Sequence, residues 1–284
     1  MTPPPDHYTV LGNPVEHSLS PRIHARFAEL TGQHLRYDKQ LVPLDQFPAQ
    51  LAQLIASGAR GCNVTVPFKL QAFASAHTRS EPAELAQAAN TLLFADGHIA
   101  ADNTDGVGLV RDIEHNAGVK LAGRDVLLIG AGGAAAGVLG PLLLAQPRRL
   151  VVVNRTDVKT QELVKRHRGA VSLHDALQKT ELSAQSLQGL EGDFDVVINA
   201  TASSLNGDDV PVSSAVLKKS ALAYDMMYGP KTQGFAAWAE AGGAQFRDGL
   251  GMLVEQAAEA FFVWRRVRAP AGQVLDELRA RLNE

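Results

Sequence analysis

The chain has 284 residues, of which 45% are hydrophobic and 20% charged, a balance typical of a globular protein with two ordinary domains. Its formal net charge of -3 lacks the basic excess that a nucleic-acid-binding surface needs, so no nucleic-acid partner is expected. The single cysteine, Cys62, excludes an intramolecular disulfide and indicates a reducing compartment, which we predict to be the cytoplasm.

Short strands alternate with helices in the first hundred residues. The pattern predicts strands over 8–12, 35–41 and 63–66 and helices over 21–30, 44–57 and 68–76. The first helix is expected to have Ser20 as its N-cap and Gly32 just past its end. This alternation indicates an α/β domain with a mainly parallel sheet.

A second α/β domain is predicted to follow a connecting helix over 106–116. Its strands are expected over 125–129, 149–153, 195–199, 222–225 and 244–247, and a long apolar helix over 250–267 comes after them. The segment 172–192 has no readable pattern. We predict one domain from 1–105 with 250–284, a second from 106–249, and a C-terminal helix that returns to the first.

The stretch 126–147 has no charged residue and is long enough to span a bilayer. It contains five glycines, with a glycine-rich turn near its middle, and Pro141 lies after that turn. A buried strand followed by a buried helix, kinked or ended at Pro141, explains this composition better than a membrane span. No membrane partner is expected.

The turn inside that stretch has the form of a dinucleotide-binding loop. The strand over 124–129 runs into Gly130, Ala131, Gly132, Gly133, Ala134 and Ala135, a G-x-G-x-x-A pattern at a helix start. Gly130 permits a tight turn, and Gly132 lets the backbone approach a pyrophosphate closely. The N-terminus of the helix that follows attracts this anion. A purely structural turn is the alternative.

The next predicted strand ends in residues that favour NADP over NAD. NAD sites usually place an acidic residue here for the ribose 2′-hydroxyl. This chain has Asn154, Arg155 and Thr156 instead, with Lys159 nearby. A guanidinium suits a 2′-phosphate, whereas the alternative is an exposed arginine at a strand end.

Three polar clusters in the first domain carry candidate chemistry. Ser18 and Ser20, at a helix start, could hold a carboxylate, although Ser20 alone could be an N-cap and Ser18 has no evident capping role. Thr65 precedes Lys69, which is expected in the first turn of a helix, where a lowered pKa would suit proton transfer. A solvated surface lysine is the alternative.

The third cluster comprises the segments around Asn90 and Asp105. Their amides and carboxylates could bind vicinal hydroxyls, but each could equally serve as a turn or a helix cap. The nine histidines show no zinc-ligand spacing and no G-x-S-x-G elbow is present, so neither a metal site nor a serine hydrolase is predicted.

These motifs together resemble the shikimate dehydrogenase family over nearly the whole chain. The resemblance lies in GNPVEHSLSP (12–21), NVTVPFK (63–69), ANTL (89–92), NTDG (103–106), GAGGA (130–134), NRT (154–156), NAT (199–201), YDMMYGP (224–230) and GLGMLVEQ (249–256). It implies an NADP-dependent reductase of 3-dehydroshikimate in aromatic amino acid biosynthesis, with a Rossmann-like NADP-binding domain. The substrate is then a polyhydroxylated cyclic carboxylate, and the protein is expected to be a monomer or a homodimer.

The resemblance also implies roles for individual residues. Lys69 and Asp105 are the implied catalytic pair, and the substrate contacts are Ser18, Ser20, Thr65, Asn90, Asp105, Tyr228 and Gln256. The implied cofactor contacts are Glu81, Met226 and Gly249, together with the glycine loop (130–134), Asn154, Arg155, Thr156 and Lys159.

Three features depart from the family pattern. Gln233 follows Thr232 where proline is common, which concerns only a turn. Lys159 stands where an arginine often supports the 2′-phosphate, so the charge is kept and the forked contact is lost. The segment 172–192 matches nothing in the pattern.

Two other functions remain open from the sequence. A quinate/shikimate dehydrogenase of the same fold often prefers NAD, which Arg155 argues against. A non-catalytic NADP-binding regulator is expected to lose the lysine–aspartate pair, and both residues are present.

Overall fold

The computed structural model describes residues 3–190, 192–201 and 210–282. The chain divides into two compact units, one formed by Met1–Gly108 with Val254–Glu284 and the other by Leu109–Leu253. Both are α/β, as the sequence predicts. Among the described residues, no helix combines the length and apolar character needed to cross a membrane.

The strands and helices follow in chain order. The strands are β1 Asp6–Gly12, β2 Leu35–Leu41, β3 Gly61–Val64, β4 Thr78–Arg79, β5 Thr91–Ala95, β6 His98–Asp102, β7 Asp125–Ile129, β8 Arg149–Val153, β9 Glu181–Gln185, β10 Phe194–Asn199, β11 Leu217–Asp225 and β12 Gln245–Arg247. The helices are α1 Ser20–Thr31, α2 Phe47–Ala56, α3 Lys69–Ser75, α4 Glu81–Ala86, α5 Asp105–Arg111, α6 Gly133–Leu144, α7 Asp157–Arg168, α8 His174–Lys179, α9 Gln233–Ala241, α10 Leu250–Arg265 and α11 Ala271–Leu282.

The sheet of the first unit brings the ends of four strands to one edge. Its order is β2-β1-β3-β5-β6-β4, with three parallel and two antiparallel pairings. Asn63, near the end of β3, pairs with Thr91 at the start of β5, and Thr91 pairs with Asp102 at the end of β6. The segments that follow β1, β3 and β6, and the one that precedes β5, therefore meet at this edge.

The sheet of the second unit is entirely parallel. Its order is β12-β11-β10-β7-β8-β9, so the chain runs outward from β7 in one direction and then returns to its other side. The reversal makes the carboxyl ends of β7 and β10 a topological switch point, where ligands of doubly wound folds bind. Strand β7 is buried on both faces, which explains its uninterrupted apolar run.

Most predicted elements are present, but several bounds differ. The helix expected from residue 44 begins at Phe47, because Gln46 N–H bonds the Pro43 carbonyl in a turn before it. The strand expected to reach residue 66 ends at Val64, and Thr65 opens a turn through the bond from Phe68 N–H to its carbonyl. The helix expected over 106–116 is α5 followed by a π-helical turn, Asp112–Asn116.

Ser20 and Pro141 also differ from expectation. Helix α1 begins at Ser20 itself, with Leu19 at the N-cap, so the predicted N-cap role of Ser20 is wrong. Helix α6 includes Pro141 and continues to Leu144, so the helix does not end at the proline. Gly32 lies just past the end of α1, as predicted, and it adopts the left-handed conformation.

Gly61 in β3 lies against Trp264 of helix α10. A Cβ there would lie 2.5 Å from the Leu92 carbonyl oxygen and 2.7 Å from Trp264 Nε1. Those two atoms already share a hydrogen bond of 3.0 Å, so neither is free to move away.

Gly61→Ala is therefore expected to destabilise the protein by about 1–3 kcal/mol through overpacking. Thermal unfolding followed by circular dichroism measures the effect. Gly272→Ala is the control, because that glycine is exposed in α11 and its Cβ would meet nothing within 4 Å. Equal melting temperatures for the two variants would contradict the packing argument.

Charged side chains cluster at the amino edge of the second sheet. The ammonium of Lys218 donates to Asp195 Oδ2 at 2.8 Å and to Asp125 Oδ2 at 3.1 Å, and Arg148 also bonds Asp125. Desolvation alone would raise the pKa of both carboxyl groups, but these bonds outweigh it and hold each pKa below its usual value. The same bonds raise the pKa of Lys218 against a smaller effect of desolvation.

Lys218→Met is expected to lower stability at neutral pH by about 1 kcal/mol, a modest value because the lysine is partly exposed. Carboxyl groups with depressed folded-state pKa values stabilise the protein above about pH 4 and lose this contribution as the pH falls through those values. The difference in melting temperature between variant and wild type should thus shrink toward about pH 3. Lys219→Met, which removes a neighbouring exposed lysine, is the control; a difference that does not change with pH contradicts the assignment.

Candidate active site

Backbone hydrogen bonds join the polar motifs of the first unit at the sheet edge. Val64 N–H donates to the Asn90 carbonyl at 2.8 Å, and Asn90 N–H donates to the Asp102 carbonyl at 3.1 Å. Ala89 N–H donates to the Lys69 carbonyl at 2.9 Å. Main-chain hydrogen bonds alone therefore hold together segments that are far apart in the chain.

Lys69 and Asp105 form an ion pair at this edge. Helix α3 begins at Lys69 and α5 begins at Asp105, and Lys69 Nζ lies 2.5 Å from Asp105 Oδ2. Asp105 is 6% exposed and lies in the first turn of α5, where the helix dipole favours its negative charge. The sequence-based pairing of these two residues is thus present as a direct contact.

Asn90 is the centre of the polar network around Asp105. Its Nδ2 donates to Asp105 Oδ1 at 2.8 Å and approaches Gln256 Oε1 at 3.2 Å, so the predicted contact residue on α10 joins the same cluster. Its Oδ1 accepts from the Thr104 N–H at 2.9 Å. The amide of Asn90 therefore has a fixed orientation, with its donor end toward the carboxylate.

Ser18, Ser20 and Thr65 lie in the segments that follow β1 and β3. Ser18 Oγ accepts the N–H of Ser20 at 3.3 Å, although the N-cap residue of α1 is Leu19, which has no side-chain capping bond. Ser20 is buried, whereas Ser18 and Thr65 are half-buried. Thr65 N–H bonds the Leu11 carbonyl at 2.9 Å, which fixes this segment beside β1.

Glu81 lies outside this cluster. It is exposed at the start of α4, one residue after Ser80, whose hydroxyl caps the helix by accepting from Ala83 N–H at 3.3 Å. The described contacts do not connect Glu81 with Lys69 or Asp105. Its role as a cofactor contact stays a prediction.

The glycine loop of the second unit lies at the topological switch point. Gly130 has φ of +121°, and a Cβ there would lie 3.1 Å from the Ala200 carbonyl oxygen beyond β10. Helix α6 has Gly132 as its N-cap, and a Cβ on Gly132 or Gly133 would meet nothing within 4 Å. Open space in front of the free N–H groups of a helix start fits a pyrophosphate.

The residues after β8 suit a phosphate beyond that loop. Asn154 Nδ2 donates to the Thr156 carbonyl at 3.2 Å, and Thr156 is the N-cap residue of α7. Arg155 and Lys159 are exposed, and neither forms an ion pair with another of the described residues. Since β8 neighbours β7, these cations follow the strand adjacent to the glycine loop.

Met226 and Gly249 lie close together in the second unit. Met226 N–H bonds the Asn199 carbonyl at 3.0 Å, and Gly249 N–H bonds the Met227 carbonyl at 2.8 Å. Tyr228 follows in the same segment, half-buried, and burial raises the pKa of its phenol. These residues are therefore neighbours in the second unit, as the motifs that contain them suggest.

The sequence-based predictions gave no individual role to four polar side chains beside Asn90 and Asp105. Asn63, Thr91, Asn103 and Thr104 are all at most 6% exposed and hydrogen-bonded. All four lie inside the motifs quoted above. Polar residues at positions where the strand pattern predicts burial were the signal that could have identified them. Among the described residues, no group of three His, Cys, Asp or Glu side chains is placed to hold a metal ion.

Three family models match the chain along its length. They describe the shikimate dehydrogenase substrate binding domain (residues 10–92), shikimate / quinate 5-dehydrogenase (112–219) and the shikimate 5'-dehydrogenase C-terminal domain (249–279). The chain belongs to the shikimate dehydrogenase family. The resemblance stated from the motifs is thereby confirmed.

Similar proteins agree with this family. Shikimate dehydrogenase (NADP(+)) from Acidovorax sp. (strain JS42) is 62% identical over 99% of this chain and 98% of its own length, and that from Methylibium petroleiphilum is 56% identical over 97% and 94%. An Ael1 enzyme from Pseudomonas putida is 45% identical with a TM-score of 0.84 over 96% and 98% of the two chains. Shikimate 5-dehydrogenase from Thermus thermophilus, solved with NADP(H) and shikimate, is 28% identical with a TM-score of 0.83 over 97% and 99%.

Proposed function

We propose that the protein is an NADP-dependent shikimate dehydrogenase, which reversibly reduces 3-dehydroshikimate to shikimate in aromatic amino acid biosynthesis. The observation that carries the proposal is the Lys69–Asp105 ion pair, held by Asn90 in a chain of this family. A non-catalytic relative has no need of such a pair. The cytoplasmic location and the monomeric or homodimeric state stay predictions.

The first unit supplies most of the substrate contacts in this proposal. Ser18 and Ser20 bind the substrate carboxylate, and the ring hydroxyls are bound by Thr65, Asn90, Asp105, Gln256 and, from the second unit, Tyr228. The half-buried hydroxyls of Ser18 and Thr65 support this assignment, since they can reach a ligand. Asn90 and Gln256 support it through their shared position beside Asp105.

Lys69 is the proton donor in the reducing direction. Its ammonium gives a proton to the oxygen of the ketone as that oxygen gains negative charge, and the neutral amine then takes a proton from water. Asp105 holds the ammonium in place through the contact of 2.5 Å and stabilises its charge before the transfer. When bound, NADPH supplies the hydride that the ketone carbon accepts.

The second unit supplies residues that fit NADP. The loop formed by Gly130, Ala131, Gly132, Gly133 and Ala134 would hold the pyrophosphate at the start of α6, and Asn154, Arg155, Thr156 and Lys159 would hold the adenosine 2′-phosphate. Met226 and Gly249 would line the nicotinamide, and Glu81 would contact the cofactor from the first unit. The open space at Gly132 and the exposed guanidinium of Arg155 support this fit.

The absorbance of the reduced cofactor tests the function directly. Shikimate and quinate are each offered with NADP and with NAD. We expect oxidation of shikimate with NADP as the fastest of the four reactions. Faster oxidation of quinate would favour the quinate/shikimate enzyme of the same fold, and no turnover with any pair would favour a non-catalytic regulator.

Lys69→Ala is expected to lower kcat by about 100- to 10,000-fold, since it removes the proton donor. Cofactor affinity, measured by fluorescence titration with NADPH, should stay near that of the wild type because Lys69 lies in the other unit from the glycine loop. Lys120→Ala removes an exposed lysine of the second unit and serves as control. An unchanged kcat in Lys69→Ala contradicts the assigned role.

Arg155→Gln is expected to lower kcat/KM for NADP by about 10- to 100-fold, since it removes a charged hydrogen-bond donor to the 2′-phosphate. The rate with NAD, which lacks that phosphate, should change little and is the internal control. Steady-state kinetics with both cofactors measure the ratio. A parallel loss with both cofactors would place Arg155 outside the 2′-phosphate site.

A further inference from the structure

A second layer of buried polar side chains lies behind Asn90. Tyr37 is on β2, Asn63 on β3 and Thr91 at the start of β5, and their exposed fractions are 9%, 6% and 0%. None of them is among the proposed substrate contacts. Burial of three polar side chains in a row is costly unless each is hydrogen-bonded, so their bonds show what they support.

The main-chain carbonyl of Asn90 fixes the orientation of the Asn63 side chain. That carbonyl can only accept, so the Asn63 atom 3.0 Å from it is the donor Nδ2. Asn63 Oδ1 then faces Tyr37, whose hydroxyl donates to it at 2.7 Å. Burial raises the pKa of Tyr37 well above its ordinary value, which keeps the phenol protonated for this bond.

Asn63 in turn fixes the hydroxyl of Thr91. Asn63 Nδ2 donates to Thr91 Oγ1 at 3.0 Å, so the Thr91 hydrogen must point elsewhere. Thr91 Oγ1 lies 3.0 Å from Asn90 Oδ1, which accepts that hydrogen. The bonds thus run in one direction, from Tyr37 through Asn63 and Thr91 to the amide oxygen of Asn90.

The orientation of the Asn90 amide in turn determines which oxygen of Asp105 contacts Lys69. With its Oδ1 held by the Thr91 hydroxyl and by Thr104 N–H, its Nδ2 faces Asp105 Oδ1 at 2.8 Å. The other carboxylate oxygen, Oδ2, is then the one that meets Lys69 Nζ. A displaced Asn90 therefore changes the direction in which Lys69 presents its proton.

We infer that Tyr37, Asn63 and Thr91 are positioning residues that act through Asn90 and Asp105 to orient Lys69 for proton transfer. The inference rests on the proposed function. Thr91 is the decisive member, because it alone of the three joins the buried layer to the Asn90 side chain. Small displacements of a proton donor have large kinetic effects, since a shift of about 1 Å can cost about 100-fold in rate.

Thr91→Val tests the inference, since it keeps the shape of the side chain and removes the hydroxyl. We expect kcat to fall about 10- to 100-fold with shikimate and NADP, with KM for NADP unchanged. The ratio of kcat in H2O to that in D2O should rise, because proton transfer becomes the slow step. Thr91→Ser, which restores the hydroxyl, should recover most of the rate and return the isotope ratio toward that of the wild type.

Thr9→Val is the matched control. Thr9 is 0% exposed in β1 of the same sheet, and its hydroxyl has no hydrogen-bond partner among the described residues. The same chemical change there should leave kcat and the isotope ratio as they are in the wild type. An equal loss in both threonine variants would assign the effect to general packing and overturn the inference.

Tyr37→Phe is a second test of the inference, and it serves if Thr91→Val does not fold. Loss of the phenol leaves Asn63 Oδ1 without its donor, so a smaller fall in kcat and a smaller rise in the isotope ratio are expected. Unchanged kcat in the folded variants overturns the inference, as does a lower kcat with a reduced melting temperature and an unchanged isotope ratio. Failure of the proposed function is distinct, because the wild type itself would then not oxidise shikimate.

Discussion

The hydrogen bond from the Asn90 amide to Asp105 is the contact on which the polar cluster of the first unit depends. Asn90 lies where β3, β5 and β6 meet, so its main chain joins Val64 to Asp102 while its side chain joins Thr104 to Asp105. An amide can do this because it offers donors at one end and an acceptor at the other. A carboxylate at the same position would face Asp105 with a second negative charge, and an apolar side chain would leave buried donors without partners.

The second unit is governed by a different constraint, the direction of its parallel strands. Parallel strands place all their carboxyl ends at one edge, where the helix starts and the Gly130 loop offer N–H groups for an anion. The amino ends lie at the opposite edge, where Lys218 and Arg148 pair with Asp125 and Asp195. One edge of the sheet is thereby left open for a ligand, and the other is closed by charge pairing that contributes to stability.

The sequence predicts elements best where a single local signal dominates. The apolar run of β7 with its glycine turn, and the left-handed Gly32 after α1, are read correctly because burial and backbone sterics act on neighbouring residues. The β5–β6 hairpin was missed although Asp96-Gly97, both with positive φ, is a strong turn signal. Ser20 was misassigned because a serine before a proline fits both the N-cap and the first helical turn, and in this chain the N-cap is Leu19.

In the candidate site, too, the sequence predicts the residues that contact a ligand better than the residues that hold them in place. Motif resemblance names side chains that are expected to reach a ligand, such as Lys69, because the motifs of the family are centred on them. It does not say that Thr91 must donate to Asn90, since that direction follows only from which buried acceptors surround it. Thr9 and Thr91 are the same residue type, equally buried in the same sheet, yet of the two only Thr91 has partners among the described residues. Residue type and burial therefore do not identify a positioning residue; the polarity of its neighbours does.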